Sequence, residues 1–127
     1  SEVKFGIIPS VISPYVLRAI GPRHALRYFQ SAERISADRA LQIGLVNEVT
    51  TVDALDAGIA ALANALIAGA PQAQKAAKDL IASVNGRAID DVVIEETAQR
   101  IARQRATDEA RDGIAAFLEK RTPAWLL

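Results

Sequence analysis

The sequence predicts a mainly α-helical fold with one short extended segment at the N-terminus. Three observations carry this. Half of the 127 residues are hydrophobic but only 5% are aromatic, so alanine, leucine, isoleucine and valine supply most of the apolar content, which suits close-packed helices better than aromatic-rich sheets. From Val52 onward, apolar residues recur at spacings of three and four, the period of one helix face. Serine, threonine or proline opens segment after segment, and glycine closes several of them, as helix ends favour. A chain of this length suits one domain and buries roughly two-thirds of its unfolded surface.

The segment Val3 to Ile8, apolar but for Lys4 and Gly6, reads as a short strand or extended stretch that Pro9 ends. Ser13-Pro14 starts a helix, serine as cap and proline at the first helical position, and Gly21 closes it with a left-handed cap. Pro22 opens the next, PRHALRYFQ, and Ser36 caps a third, ADRALQI, which Gly44 ends. LVNEV is short and β-branched, hence extended. Val52, Leu55, Ile59, Leu62 and Leu66 then form a stripe expected to be buried, punctuated by Gly69 and Pro71. Ala73, Ala76, Ala77, Leu80, Ile81 and Val84 form another, broken at Asn85-Gly86. A helix from about Asp90 to Arg105 is expected to turn Val93, Ile94, Ala98 and Ile101 inward. Its charged residues, Glu95, Glu96, Arg100, Arg103 and Arg105, are expected to form a solvated face with pairs four residues apart. Thr107, followed by two acids, caps the last helix, where Ala110, Ile114, Phe117, Leu118 and Arg121 share a face and Phe117 is expected as a core anchor. Trp125, beyond Pro123, is expected to dock on a surface or another subunit.

Composition excludes several functions. The 15 basic and 15 acidic residues cancel, so no global field draws the chain to nucleic acid or an anionic membrane. There is no cysteine, hence no disulfide, thiolate metal site or cysteine nucleophile. The single histidine, His24, cannot by itself build a metal centre and reads as structural. No apolar run approaches the ~18 residues of a membrane span. The chain begins without methionine or a polar lead-in, which reads as the tail of something longer. Arginine outnumbers lysine 11 to 4, which suggests a GC-rich bacterial source and hence the cytoplasm; a mitochondrial matrix location stays open.

Three stretches carry a resemblance. EVKFGIIP followed by RAIG, then ERISADRALQIGLVNEV, and finally DEARDGIAAFLEKRTPAW together resemble the crotonase (enoyl-CoA hydratase/isomerase) superfamily. Ile35, Ala37, Ala40, Gly44, Leu45 and Val46 stand where the family's G-x-x-I-x-A-x-x-A-x-x-x-G-L-V region has them. The resemblance spans the chain and implies the C-terminal, mostly helical half of a crotonase-like fold: residues 1–50 closing the core, residues 51–127 forming helices for oligomerisation, and an N-terminal half lying elsewhere. It implies an acyl-CoA substrate, no cofactor beyond the coenzyme A thioester itself, and a homo-oligomer, a trimer or dimer of trimers.

It also gives the opening acid a role. Taken without the family, Glu2 is an end-of-chain carboxylate; in E-x-x-x-G-x-x-P it resembles the second of two hydratase glutamates. Adding water across an α,β-unsaturated thioester needs one group to steer the water and another to protonate the α-carbon, work suited to paired carboxylates. Two peptide N–H donors stabilise the enolate-like oxygen, and the resemblance implies that these donors and the first glutamate lie in the other half. It further implies an acyl pocket from Phe5, Val11, Ile12 and Tyr15. Lys120 in the E-K-R motif is implied to reach the CoA phosphates, although a lysine at a helix C-terminus is also favoured by the dipole alone. One departure stands out: where many relatives carry a glycine-rich turn after the proline, this chain has SVISPYV, a residue shorter, with Val11 and Ile12 adding apolar bulk. That alters the expected acyl pocket, and a similar ISPYV stretch in the methylglutaconyl-CoA and carboxygeranoyl-CoA hydratase branch points to a branched or carboxylated acyl chain. An isomerase or other acyl-CoA lyase of the superfamily, and a non-catalytic helical assembly module, are the alternatives.

Overall fold

The computed structural model describes residues 1–127. Six α-helices run in order, α1 Ser13–Ser31, α2 Ala37–Gln42, α3 Leu55–Ala68, α4 Pro71–Val84, α5 Asp91–Arg105 and α6 Asp108–Glu119, with no strand among them. The chain forms two compact units, Ser1–Leu55 and Asp56–Leu127.

The first unit opens on a 3-10 turn, Glu2–Phe5, and not on the expected strand. A lone strand would leave its amides unpaired, whereas here Lys4 N–H donates to the Ser1 carbonyl (3.0 Å), Gly6 N–H to Val3 (3.3 Å) and Ile7 N–H to Glu2 (3.2 Å). Gly6 sits at φ 75° with open space where a Cβ would stand, so the turn needs glycine for its backbone angle and not for room. Helix α1 begins at Ser13, but serine is not its cap: the Ser13 hydroxyl donates to the Ser10 carbonyl (2.8 Å), and Ile12 is the capping position. Gly21 leaves the helical region at φ 73° and ψ 166°, an extended ψ in place of the expected left-handed cap, so α1 is two helical segments joined at a bend before Pro22. The Ser36 hydroxyl accepts from Arg39 N–H (3.2 Å) and starts α2. Ile20, Ala25 and Ile43 form the buried cluster, with Val16, Tyr28, Phe29 and Ile35 packed against it.

In the second unit, the start of α4 is satisfied from a distance. Pro71 has no N–H to satisfy, and the next two, of Gln72 and Ala73, donate to the two oxygens of Glu109 (3.0 and 2.9 Å). Gln74 N–H then makes the first intrahelical bond, to Ala70 (2.9 Å). Asp90 caps α5 through Val93 N–H (2.9 Å) and Thr107 caps α6 through Ala110 N–H (3.2 Å). The turn between α4 and α5 is tied by Glu96, which accepts from Arg87 (2.6 Å) and, four residues along α5, from Arg100 (2.8 Å). Beyond α6 the chain folds back on its own unit: Asp112 accepts from Arg121 (2.8 Å) and from Ala124 N–H (2.7 Å). The Trp125 ring packs on Gly113, and its indole N–H donates to the Ala68 carbonyl (3.2 Å).

The apolar stripes are where they were expected, but they are not buried. Helix α3 has no buried residue; Leu55, Ile59, Leu62 and Leu66 are all exposed, as are Ile94 and Ile101 of α5. Phe117, expected as a core anchor, is 84% exposed. Val93 and Ala116 are the buried residues of this unit. No single helix is long and apolar enough to cross a membrane.

Candidate active site

Glu2 lies in the 3-10 turn that Gly6 closes. Its backbone carbonyl is held by the amides of Gly6 and Ile7, so E-x-x-x-G is a local fixing device for this residue. The side chain is 42% exposed and pairs with the Ser1 α-ammonium at 2.8 Å. The hydrogen bond from that ammonium, followed by one from its own backbone, holds the carboxyl below the usual glutamate range. The charge of this partner belongs to a free α-amine; an acylated nitrogen at Ser1 does not carry it.

Glu2 lines a cavity of ≈240 Å³ whose walls include Ile12, Val16, Ile20, Tyr28 and Phe29. Ile12, Val16 and Ile20 stand four residues apart along the first segment of α1, on one helix face, and Tyr28 and Phe29 of the second segment, beyond the bend at Gly21, line the same cavity. Of the four pocket residues expected from the sequence, Ile12 shares this cavity with Glu2. Phe5, Val11 and Tyr15 do not line it and stand 77, 87 and 73% exposed. Val16, Tyr28 and Phe29 were not picked out; the i, i+4, i+8 run from Ile12 was the signal available for the first of them.

The cavity lining also carries a charge pair. Glu33 lines it and is bound by both nitrogens of the Arg27 fork, and the Arg27 hydrogen bond lowers the Glu33 pKa. Arg27 also sits over the Tyr28 ring, 5.7 Å from its centroid, and the Tyr28 hydroxyl accepts from Arg39 of α2 (3.0 Å). The cavity thus joins apolar walls to two carboxylates, Glu33 held by Arg27 and Glu2 paired only with the Ser1 α-ammonium, and a carboxylate beside apolar walls is a group able to pass a proton to or from a carbon acid.

A larger cavity, ≈470 Å³, lies between α4 and α5 and is lined by Ala73, Ala76, Ala77, Leu80, Ile101 and Gln104 among others. It holds none of the expected site residues. Lys120 is the left-handed C-cap of α6, at φ 55° and ψ 39°, and is exposed.

The bent α1, the capped α2 and the E-x-x-x-G turn belong to a fold that matches about half of a crotonase structure from Legionella pneumophila, with a TM-score of 0.93. The chain matches the enoyl-CoA hydratase/isomerase family over residues 1–126 and belongs to it. It is 32% identical over 123 residues to the 2,3-dehydroadipyl-CoA hydratase of Escherichia coli, covering 96% of this chain and 48% of that one. It is 33% identical over 122 residues to the short-chain-enoyl-CoA hydratase of Clostridium acetobutylicum, covering 94% and 46%. An enoyl-CoA hydratase structure from Shewanella pealeana superposes with a TM-score of 0.91 at 43% identity, over 98% of this chain and 46% of that one. The chain thus spans about half the length of the curated relatives it matches.

Proposed function

We propose that this chain supplies part of the active site of an enoyl-CoA hydratase-type lyase, with Glu2 as the acid/base at the α-carbon. The observation that supports it best is Glu2 on the wall of the Ile12 cavity. In the reaction, the oxygen of water bonds to C3 of a 2-enoyl thioester while one of its O–H bonds breaks. The C2=C3 double bond becomes single, the thioester oxygen carries negative charge, and Glu2 delivers a proton to C2; the reverse reaction returns it. Water adds across the double bond with no net oxidation or reduction, so the chemistry calls for no cofactor beyond the coenzyme A of the substrate. The residues that take the proton from water and hold the oxyanion belong, in this reading, to sequence matching the rest of the relatives' length. The chain alone therefore gives no turnover of crotonyl-CoA. Lys120 is proposed to contact the CoA phosphates, and Phe5, Val11 and Tyr15 to line the acyl path once that sequence is in place. The two units divide the work: the first carries Glu2 and its pocket, the second the helices that assemble a homo-oligomer, a trimer or dimer of trimers, in the bacterial cytoplasm.

The test uses the protein in which this chain is joined to sequence matching the remainder of its relatives. Glu2→Gln keeps the shape and one acceptor but removes the titratable carboxylate, so kcat for hydration falls by about 10²–10⁴. KM changes little, the mark of a contribution made in the transition state. Exchange of the α-proton of a saturated acyl-CoA in D₂O slows in parallel, since it needs enolate formation but no added water. A variant that hydrates at the parental rate removes Glu2 from the mechanism. Loss of exchange and 3-enoyl to 2-enoyl isomerisation in a protein that never hydrates assigns the carboxylate to an isomerase instead.

A further inference from the structure

Among the residues that line the Glu2 cavity, Tyr28 is held by more polar contacts than its apolar neighbours. Tyr28 is fixed at both ends, its hydroxyl by Arg39 of α2 at 3.0 Å and its ring by the Arg27 guanidinium at 5.7 Å. Arg27 is itself locked to Glu33, which lines the same cavity. The ring packs on the Ile20, Ala25 and Ile43 cluster, so inward motion meets a closed core. A half-buried side chain restrained in this way is a fixed stop. The space it bounds, ≈240 Å³, lies below the roughly 300–1,000 Å³ of sites that enclose drug-sized ligands, and suits a short acyl group.

We infer that Tyr28 sets the acyl-length limit of the Glu2 cavity: among its lining residues Tyr28 is the specificity-determining one that stops a short acyl chain, with Arg27 and Arg39 as its positioning residues. This rests on the reading of the cavity as an acyl site. Neither proton transfer nor the CoA contact enters into it. A stop of this kind acts by excluding methylenes. Each methylene that is buried is worth about fourfold in affinity, and each that is refused loses at least that.

The experiment uses the protein in which this chain is joined to sequence matching the rest of its relatives, titrated with butanoyl, hexanoyl and octanoyl thioesters of N-acetylcysteamine and read from the methyl resonances of Ile12, Ile20 and Ile35. The wild type binds the shorter members and refuses octanoyl. Tyr28→Val deepens the space, moving the preferred chain about two carbons longer and raising the octanoyl-to-butanoyl affinity ratio about tenfold or more. Tyr28→Trp shortens it, and the ratio moves the other way. Tyr28→Phe keeps the ring and loses the Arg39 bond, so its order of affinities stays that of the wild type with weaker discrimination. Opposite shifts from a smaller and a larger side chain cannot come from general loosening. If the folded variants lower all three affinities alike, Tyr28 is only a packing residue and the inference is overturned while the cavity remains an acyl site. If the wild type shifts none of the three methyls with any thioester, the cavity is no acyl site and both the inference and that reading of it fall.

Discussion

Glu96 accepts from two arginines at once, Arg87 at 2.6 Å and Arg100 at 2.8 Å. The hydrogen bonds from Arg87 and then Arg100 hold its carboxyl down from 4.5 to about 2. A carboxyl lowered in the folded state contributes stability above its unfolded pKa and loses it as pH falls through the folded one. The Glu96 contribution is therefore complete above about pH 5 and fades between 4.5 and 2. Glu96→Gln is less stable than the parent at pH 7, and urea midpoints measured down the pH scale converge across that window; a constant gap would place the effect in packing. The sequence showed the Arg100 partner, four residues away on the same helix, but not Arg87, which reaches Glu96 around the Asn85-Gly86 turn. The same limit governs the candidate site. Ile12 was legible because it stands next to the motif that holds Glu2. Tyr28 and Phe29 were not, because they lie beyond the bend at Gly21 and share the cavity with Glu2 only through the fold, and a bend angle is not written in the side-chain pattern. Phe5, Val11 and Tyr15 have the right chemistry for a pocket, yet a turn and a helix start point them outward in this chain.

Caps divide in the same way at the scale of the element. Ser36, Asp90 and Thr107 cap the helices that follow them, each accepting from an amide three residues ahead, and this is legible because signal and effect are adjacent. Helix α4 has no such residue at its capping position, Ala70, and borrows Glu109 from α6. Glu109→Ala leaves the amides of Gln72 and Ala73 without a protein partner and removes a negative charge from the helix N-terminus. The expected cost is about 1 kcal/mol, within the range of lost side-chain caps, measured as a fall in the urea midpoint. Glu109→Gln, which retains an acceptor, recovers part of it. A fully unchanged midpoint for the alanine variant would mean that water replaces the carboxylate at no cost. Gly113 gives a second expectation. A Cβ there would lie 2.7 Å from the Trp125 ring, closer than packed atoms tolerate, and the ring closes the end of α3 through Ala68. Gly113→Ala favours α6 by about 1 kcal/mol in helix propensity while displacing the indole. Stability changes little, but the emission of Trp125, the only tryptophan, shifts to the red. Unaltered emission would show that the ring accommodates the methyl group where it stands.

At the scale of the whole molecule, periodicity identified the helices and their apolar faces, but it carries no information on what covers a face. Ile59, Leu62, Leu66, Ile94, Ile101 and Phe117 are spaced as core residues are and stand exposed in this chain. Contiguous apolar patches of more than several hundred Å² are uncommon on stable monomers. The chain is therefore expected to self-associate in solution, with a sedimentation coefficient that rises with concentration. Leu62→Glu and Phe117→Glu discriminate between association through these faces and general unfolding. Both side chains are already mostly exposed, so neither change removes core packing, and the far-UV circular dichroism is retained. Each places a charge where a second copy would have to desolvate it, and association weakens by roughly tenfold or more for each buried site. Addition of the sequence that matches the rest of the relatives should compete for whichever of these faces it covers, leaving only the association that belongs to the assembled enzyme. A chain that sediments as a monomer at every accessible concentration, or glutamate variants that associate as tightly as the parent, would place the attraction elsewhere on the surface or remove it.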